Sequence, residues 1–239
     1  MPIAYIYRIA TNYVSGLWDL LFPPLCVGCE RKLVQSEAFI CTFCFSSFPE
    51  TSYHRQPDNA MFYRVIEDVA IADAFALYWL RKKSLLERVL VAMKYKNQPN
   101  IGLFLGRYYA TMLAQTSLIQ TIEGIVPIPL HRRRLQERGY NQSGFFAQGL
   151  AEVLQIPCYS ACVERIRYTP SQTKKSKEER KANLQGVFRV MHPELIQGKH
   201  LLLVDDIFTT GATLVSCAKE VLAEGAGPVS MATIAIVEA

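Results

Sequence analysis

Residues 201–213 constrain the fold of this chain more than any other segment. Leu201–Val204 is a run of four apolar residues, and two adjacent acids, Asp205 and Asp206, follow it. A short apolar run that ends in polar residues is typical of a buried strand. Because ligands of parallel sheets bind beyond the carboxyl ends of the strands, both acids are candidate ligand-binding residues.

The residues after the acids suit a sugar phosphate. Thr209, Thr210 and Thr213 carry hydroxyls that can donate to phosphate oxygens, and Gly211 lets the backbone approach a ligand closely. A helix that begins here would add unpaired N–H groups. Adjacent carboxylates can accept hydrogen bonds from sugar hydroxyls or bind hydrated Mg2+. The alternative is an ordinary strand-to-helix turn, in which Asp206 and Thr209 only cap the helix.

The surrounding sequence predicts an α/β fold. From residue 74 onward the segments alternate, with strands predicted at 74–80, 124–130, 156–163, 200–207 and 228–237 and helices at 84–96, 101–119, 140–154 and 213–224. Such alternation indicates a mostly parallel sheet with helices on both faces. The 239 residues are enough to bury a core, and because half of them are hydrophobic we exclude a disordered or fibrous protein.

Four of the seven cysteines form two C-x2-C pairs with eleven residues between them: Cys26, Cys29, Cys41 and Cys44. Each pair can direct two sulfurs at one point, so together they predict a four-thiolate Zn2+ site. Since cysteine fills every position, we expect structural rather than catalytic zinc. Ordinary buried cysteines or a dithiol redox pair are the alternatives. The remaining cysteines lie among apolar neighbours and are expected in the core: Cys158, Cys162 and Cys217.

The N-terminal segment predicts a helix but no membrane span. Apolar residues recur every three or four positions over residues 3–21, while Arg8 and Asp19 leave an uncharged run of only ten residues, about half of what a span needs. We expect the helix to dock on the protein itself and the protein to be soluble and cytoplasmic. The predicted domains are the helix at 1–25, a zinc ribbon with a connecting lobe at 26–72 and the α/β domain at 73–239.

Positive charge is concentrated in two segments. Residues 165–181 hold seven basic residues against two acidic ones, and residues 131–138 hold four against one, although the whole chain has a net charge of only +5. Both segments are predicted as loops, which could bind pyrophosphate, follow a nucleic-acid backbone or be merely charged and solvated. The candidate residues are Arg132, Arg133, Arg134, Arg138, Arg165, Arg167, Lys174, Lys175 and Arg180.

The segment at 201–213 resembles the phosphoribosyl pyrophosphate (PRPP) motif of type I phosphoribosyltransferases. This resemblance implies that Asp205 and Asp206 face the ribose hydroxyls and that Mg2+ accompanies PRPP. It also implies a loop around the 5′-phosphate, formed by Thr209, Thr210, Gly211, Ala212 and Thr213.

Further motifs follow one another along the chain: the cysteine pairs, Leu90 and Lys94-Tyr95, VPIPLHRRRL at 126–135, ERGYNQ at 137–142, the polar and basic residues at 165–183, and GVF at 186–188. Together they resemble the ComF family of competence proteins, which join a zinc ribbon to a phosphoribosyltransferase-like domain. The resemblance implies a cytoplasmic protein that handles single-stranded DNA during natural transformation. A competence helicase and recombination proteins are the partners that it implies.

The sequence leaves the reaction open. Our first hypothesis is binding of single-stranded DNA beside a retained PRPP site, and the second is an active phosphoribosyltransferase on an unidentified nucleobase or nucleic-acid acceptor. A scaffold whose ribbon docks a partner is the third. Thr209 stands where purine-salvage relatives place an aspartate, and no nucleobase pocket is evident, so no catalytic residue is assigned. Candidates for base stacking are Tyr140, Phe145 and Tyr168. Three histidines are expected at the surface: His54, His192 and His200.

Overall fold

The computed structural model describes residues 22–168 and 186–238. Its strands are β1 (Ala74–Leu80), β2 (Gly124–Pro127), β3 (Val163–Arg165), β4 (Phe188–Val190), β5 (Leu201–Phe208) and β6 (Val229–Val237). Four of these strands form a parallel sheet of order β1-β6-β5-β2, and β3 pairs with β4 in a separate antiparallel ladder. The predicted α/β architecture with a parallel sheet is confirmed.

Helices connect and cover these strands. They are α1 (Thr42–Ser46), α2 (Ala60–Tyr63), α3 (Leu85–Tyr95), α4 (Asn100–Leu113), α5 (Arg132–Arg138), α6 (Gln142–Leu154) and α7 (Ala212–Ala223). Helix α6 contacts β2 and β5, whereas α7 contacts β5 and β6. Leu201–Val204 is fully buried between these layers, as expected for a central parallel strand.

The register places the two acids at an open edge of the sheet. Strand β2 ends at Pro127, which pairs with Val204 of β5. The Ile128 N–H still donates to the Val204 carbonyl at 2.8 Å, but Asp205 lies beyond the last residue of β2. On its other side Asp205 pairs with Thr233 of β6. The carboxyl end of β5 is therefore exposed to ligands on the β2 side.

Helices α4 and α6 pack together at unusually short range. A Cβ added at Gly106 would clash with the Phe146 carbonyl oxygen and lie 3.0 Å from Gly149 Cα. A Cβ at Gly149 would clash with the Leu103 carbonyl oxygen. Glycine at both positions lets the two backbones touch. This contact fixes α6, whose N-terminal turn faces the end of β5.

The cysteine-rich segment packs directly on the α/β domain. Phe45 of α1 meets Phe104 and Tyr108 of α4 edge to face, at ring-centroid distances of 5.4 Å and 4.7 Å. Arg88 of α3 donates to the Gly28 carbonyl at 3.3 Å. The connection that follows is also ordered, since Asn59 caps α2 and donates to the Ala74 carbonyl at 2.7 Å.

Two predicted strands differ from the structure. Residues 156–162 form only a single bridge, from Cys158 to Ile125, and the regular strand β3 begins at Val163. Pro157 has no N–H to donate, which prevents a longer ladder here. The predicted strand at 124–130 ends at Pro127, because Pro129 likewise lacks a donor.

Two histidines predicted at the surface are buried. His54 is 2% exposed and lies edge-on to the Tyr109 ring at 5.8 Å. His200 is 7% exposed, and its ring nitrogens are within hydrogen-bond distance of Thr121 Oγ1 at 3.0 Å and Ser230 Oγ at 2.9 Å. Both were misjudged because hydrogen-bond partners and aromatic neighbours come from distant segments. His192 is exposed, as predicted.

Within the part of the chain that the structure describes, no helix is both long and apolar enough to cross a membrane. Most of the helix predicted at 1–25 lies outside the described residues. Cys162 and Cys217 are buried and Cys158 is half-buried, in agreement with their expected place in the core.

Candidate functional site

The two acids at the end of β5 have different partners. Asp205 Oδ1 accepts hydrogen bonds from Ser143 Oγ and from the Asp206 backbone N–H, both at 2.9 Å. Ser143 lies in the first turn of α6 and is 3% exposed. Asp206 instead forms an ion pair with Lys94, whose Nζ is 2.9 Å from Asp206 Oδ1. Helix α6 therefore positions the first acid and helix α3 positions the second.

The electrostatics of the pair favour a ligand that binds carboxylates. Burial, and then the adjacent Asp206 carboxylate, raise the pKa of Asp205 to about 6. The hydrogen bonds from Asp206 N–H and Ser143 and the charge of Lys94 act in the opposite direction. A hydrated Mg2+ would offset the repulsion between the carboxylates, and sugar hydroxyls could donate to them. The acids thus fit the ligands that the sequence predicts for them.

The loop after β5 turns sharply at Gly211. This residue has a φ of 78°, and a Cβ there would lie 2.7 Å from the Phe208 ring and 2.8 Å from Val65 Cγ1. Both the left-handed backbone and the close packing therefore require glycine. Helix α7 begins at the next residue, Ala212, so its first N–H groups face the same loop. A cavity of about 30 Å3 adjoins the loop and is lined by Asp205 and residues 207–214.

A larger groove lies next to the acid pair. It has a volume of about 610 Å3 and combines charged and aromatic side chains from α3, α5 and their flanking residues with Tyr168, which follows β3. We call it the arginine–tyrosine groove, and its lining residues are Lys94, Tyr95, Asn97, Arg134, Glu137, Arg138, Tyr140 and Tyr168. Because Lys94 both lines the groove and pairs with Asp206, the groove and the acid pair are contiguous.

Arginines lie over the tyrosine rings of the groove. The Arg138 guanidinium carbon is 5.0 Å from the centre of the Tyr95 ring. Those of Arg133 and Arg134 are 5.1 Å and 5.8 Å from the centre of the Tyr168 ring. At these distances cation–π attraction holds the rings and the charges together. The groove therefore presents positive charge and flat aromatic surface side by side.

The basic segment at 131–138 was predicted as a loop but folds as helix α5. His131 caps its start, where Nδ1 accepts from the Arg133 N–H at 3.2 Å, and Gly139 ends it with a φ of 83°. The helix forms because arginine, leucine, glutamine and glutamate all have high helix propensity. Tyr140 then donates to the Met93 carbonyl at 2.7 Å, which ties this segment to the last turn of α3.

The basic residues predicted to bind pyrophosphate or DNA lie in different parts of the structure. Arg134 and Arg138 line the groove, Arg133 contacts Tyr168, and Arg132 is exposed outside the groove lining. Arg165 is half-buried, and burial, followed by the charge of Arg134, lowers its pKa. The remaining predicted residues belong to the second basic segment. Arg167 lies beside Gly186, at 4.0 Å from a Cβ built there, whereas Lys174, Lys175 and Arg180 lie outside the described residues.

Of the predicted stacking residues, Tyr140 and Tyr168 line the groove. Phe145 does not, but its ring packs edge-on against Tyr140 at 5.9 Å. Three residues of the site were not predicted as site residues from the sequence: Lys94, Tyr95 and Ser143. The Lys94-Tyr95 pair was visible as a motif, but its role depends on a contact with a residue 112 positions away.

The four paired cysteines converge as predicted. The sulfurs of Cys26, Cys29, Cys41 and Cys44 all lie within 4.8 Å of one another. The Cys29 and Cys41 sulfurs are 3.6 Å apart, and Cys44 is completely buried. Four thiolates at this spacing could hold a metal such as zinc. Among the described residues, this is the cluster that fits a metal ion by spacing.

Comparisons with known proteins agree with this architecture. The phosphoribosyl transferase domain family matches residues 141–238, which include α6, the acid pair and the loop after β5. Competence protein F of Haemophilus influenzae is 30% identical over 200 residues, covering 82% of this chain and 82% of that protein.

Two further relatives match a shorter region. The DNA utilization protein YhgH of Escherichia coli K12 is 38% identical over 117 residues, or 49% of this chain and 51% of that protein. Competence protein ComFC of Bacillus subtilis is 38% identical over 101 residues, or 42% of this chain and 39% of that protein. The chain thus spans about half the length of the YhgH proteins that it matches. Together with the match along most of competence protein F, the parallel sheet and the cysteine cluster show that this chain belongs to the ComF family of competence proteins and contains a phosphoribosyltransferase-like domain.

Proposed function

We propose that this protein binds single-stranded DNA in the arginine–tyrosine groove and PRPP with Mg2+ at the adjacent acid pair, as part of DNA handling in competence. The observation that carries the DNA proposal is the placement of three cations and three tyrosines in one groove of about 610 Å3. Cations neutralise backbone phosphates, and tyrosine rings stack on bases of any sequence. A single strand exposes both its phosphates and its base faces, whereas a duplex keeps its base faces stacked inside.

The PRPP proposal is supported by the carboxyl edge of β5. Asp205 and Asp206 are carboxylates of the type that binds ribose hydroxyls or hydrated Mg2+, and the loop at Gly211 leads into the N-terminus of α7, which suits a phosphate. When bound there, Mg2+ would neutralise charge on the pyrophosphate. Ser143 would keep Asp205 oriented, and Gly211 would let the backbone approach the phosphate closely.

DNA binding is tested by fluorescence anisotropy with a labelled oligothymidylate over a series of salt concentrations. Arg134→Ala with Arg138→Ala should weaken binding and reduce the slope of log affinity against log salt by roughly 0.7 for each phosphate that is no longer neutralised. Arg132→Ala with Arg189→Ala removes the same charge from exposed positions that do not line the groove, and should change binding less. Salt-insensitive binding, or equal effects of the two double variants, would contradict the DNA proposal.

PRPP binding is tested by calorimetry with Mg2+ present, using Asp205→Asn with Asp206→Asn. This variant should lose PRPP binding but retain binding of the oligothymidylate. The alternative function, an active phosphoribosyltransferase on a nucleobase or nucleic-acid acceptor, is favoured by the match of residues 141–238 to the transferase domain family. Acceptor-dependent release of pyrophosphate, abolished in the same variant, would support it. PRPP binding without release for any common nucleobase would favour a binding function.

The same proposal includes Zn2+ at the four cysteines, a cytoplasmic location, and action near a competence helicase and recombination proteins. The cysteine geometry supports the metal, and the family supports the setting in competence. The order of the domains, with the zinc ribbon and connecting lobe at 26–72 before the α/β domain at 73–239, remains a prediction from the sequence.

A further inference from the structure

Lys94 belongs to two neighbouring ligand sites at once. Its ammonium group is 2.9 Å from Asp206 Oδ1, and its side chain lines the arginine–tyrosine groove. The side chains of Lys94 and Asp206 are only 19% and 13% exposed. Water screens such a pair much less than it screens an ion pair at the surface. In this structure, therefore, Lys94 neutralises the carboxylate that the proposed PRPP site would use.

The groove contains the charges to retain an anion when Lys94 changes partner. Arg134 and Arg138 line the same groove from α5, whereas Lys94 and Tyr95 line it from α3. A lysine has a flexible four-carbon stem and can redirect its ammonium group without a backbone movement. A phosphate bound between Arg138 and Lys94 would therefore compete directly with Asp206 for the ammonium group.

We propose that Lys94 couples the two ligands: a nucleic-acid phosphate in the groove takes over its ammonium group, and the released Asp206 carboxylate becomes available to a ribose hydroxyl or to hydrated Mg2+. This inference rests on the proposed function. It adds that the two ligands assist each other, although both are anionic. By thermodynamic linkage, PRPP must then strengthen DNA binding by the same factor by which DNA strengthens PRPP binding.

The test measures the affinity for PRPP with Mg2+ by calorimetry, in the absence and presence of a saturating oligothymidylate. In the unsubstituted protein we expect the oligonucleotide to tighten PRPP binding by at least about fivefold, the lower end of typical coupling between sites. The reciprocal titration, with oligothymidylate as the titrant and PRPP saturating, should give the same factor. Both titrations use the unsubstituted protein, so this part of the test does not depend on how a substitution affects folding.

Lys94→Met should reduce the coupling factor to about one, because Asp206 is then open whether or not DNA is bound. PRPP affinity without DNA should be greater than that of the unsubstituted protein and should approach its affinity at saturating DNA. Lys96→Met is the matched control, since it removes the same charge from the exposed residue that caps α3 and should retain the coupling.

Three results would overturn the inference. The first is binding of both ligands with a coupling factor of one or less in the unsubstituted protein. The second is equal coupling in Lys94→Met and Lys96→Met. The third is an unchanged or reduced PRPP affinity in Lys94→Met without DNA: an unchanged affinity would show that the ion pair does not restrain Asp206, and a reduced one would place Lys94 in the PRPP site itself. These results are distinct from failure of the proposed function, in which the unsubstituted protein would not bind one or both of the ligands and the inference would fall with it.

Discussion

The Arg138 guanidinium carbon lies 5.0 Å from the centre of the Tyr95 ring, so the last residue of α5 rests on the last residue of α3. Tyr95 is nevertheless 71% exposed. A buried tyrosine would contribute mainly to core packing. The Tyr95 ring instead has an arginine beside it and leaves most of its surface accessible to a ligand. The arrangement suits a base that stacks on the ring while its phosphate meets the arginine.

Tyr95→Ala should weaken binding of an oligothymidylate, because a base–aromatic stack contributes about 1–3 kcal/mol by alanine substitution. Tyr95→Phe keeps the ring and should bind almost as the unsubstituted protein does. Anisotropy titrations at one salt concentration measure both effects. Tyr63→Ala is the control, since Tyr63 is also exposed but does not line the groove. Equal weakening at Tyr63 and Tyr95 would contradict a specific stacking role.

Metal analysis should find about one zinc per chain, because four thiolates form one closed tetrahedral site. Cys44→Ser removes a completely buried member of the cluster and should lower the zinc content and expose residues 26–48 to proteolysis. Cys158→Ser, outside the cluster, should leave the zinc content unchanged. A chain that keeps its zinc after Cys44→Ser would refute the four-thiolate assignment.

Gly149→Ala should reduce the free energy of unfolding by about 1–3 kcal/mol, since the added methyl group would force α4 and α6 apart. The new Cβ would clash with the Leu103 carbonyl oxygen and lie 2.8 Å from the Arg107 backbone nitrogen. Gly144→Ala provides a control in the same helix, where the nearest atom would be 3.6 Å away. That change should be neutral or slightly stabilising. Urea denaturation of the two variants measures the difference.

The contribution of His54 to stability should fall as the pH decreases through about 6.5. Burial, and then the charge of Arg55, lower the pKa of this histidine from its ordinary value of 6.5. Below that ordinary value the unfolded chain therefore binds a proton that the folded protein does not, until the pH reaches the lower folded pKa. Acidification across this window favours unfolding, and the contribution of His54 is fully present above it.

Between about pH 7.5 and pH 5.5, the unfolding free energy of His54→Gln should fall less than that of the unsubstituted protein, as measured by urea denaturation. Part of the decrease should remain, since burial also lowers the pKa of His200. An unchanged dependence in His54→Gln would show that this histidine does not contribute.

Local patterns in the sequence predicted much of the fold. Strand β1 lies where it was predicted, and the helix predicted at 84–96 is α3, for which Ser84 accepts a hydrogen bond from the Glu87 N–H at 3.1 Å. These features depend on interactions between residues a few positions apart, so a local sequence pattern is enough to predict them. Helix α5 was wrongly predicted as a loop, because the concentration of charge in residues 131–138 was given more weight than their helix propensity.

The sequence alone predicted two candidate sites, the acid pair and the cysteine cluster. Asp205 and Asp206 follow an apolar run, and Cys41 and Cys44 repeat the spacing of Cys26 and Cys29, so residue type and spacing sufficed. Only the tertiary structure decided which side chains meet these groups from elsewhere. Ser143 reaches Asp205 because glycines let α6 pack tightly on α4.

Lys94 reaches Asp206 across 112 residues because the tertiary packing brings the end of α3 to the carboxyl edge of the sheet. The same packing places α3 beside α5, so that Tyr95 and Arg138 share one groove. Such contacts depend on strand register and helix packing, which are properties of the whole fold and have no local signal in the chain.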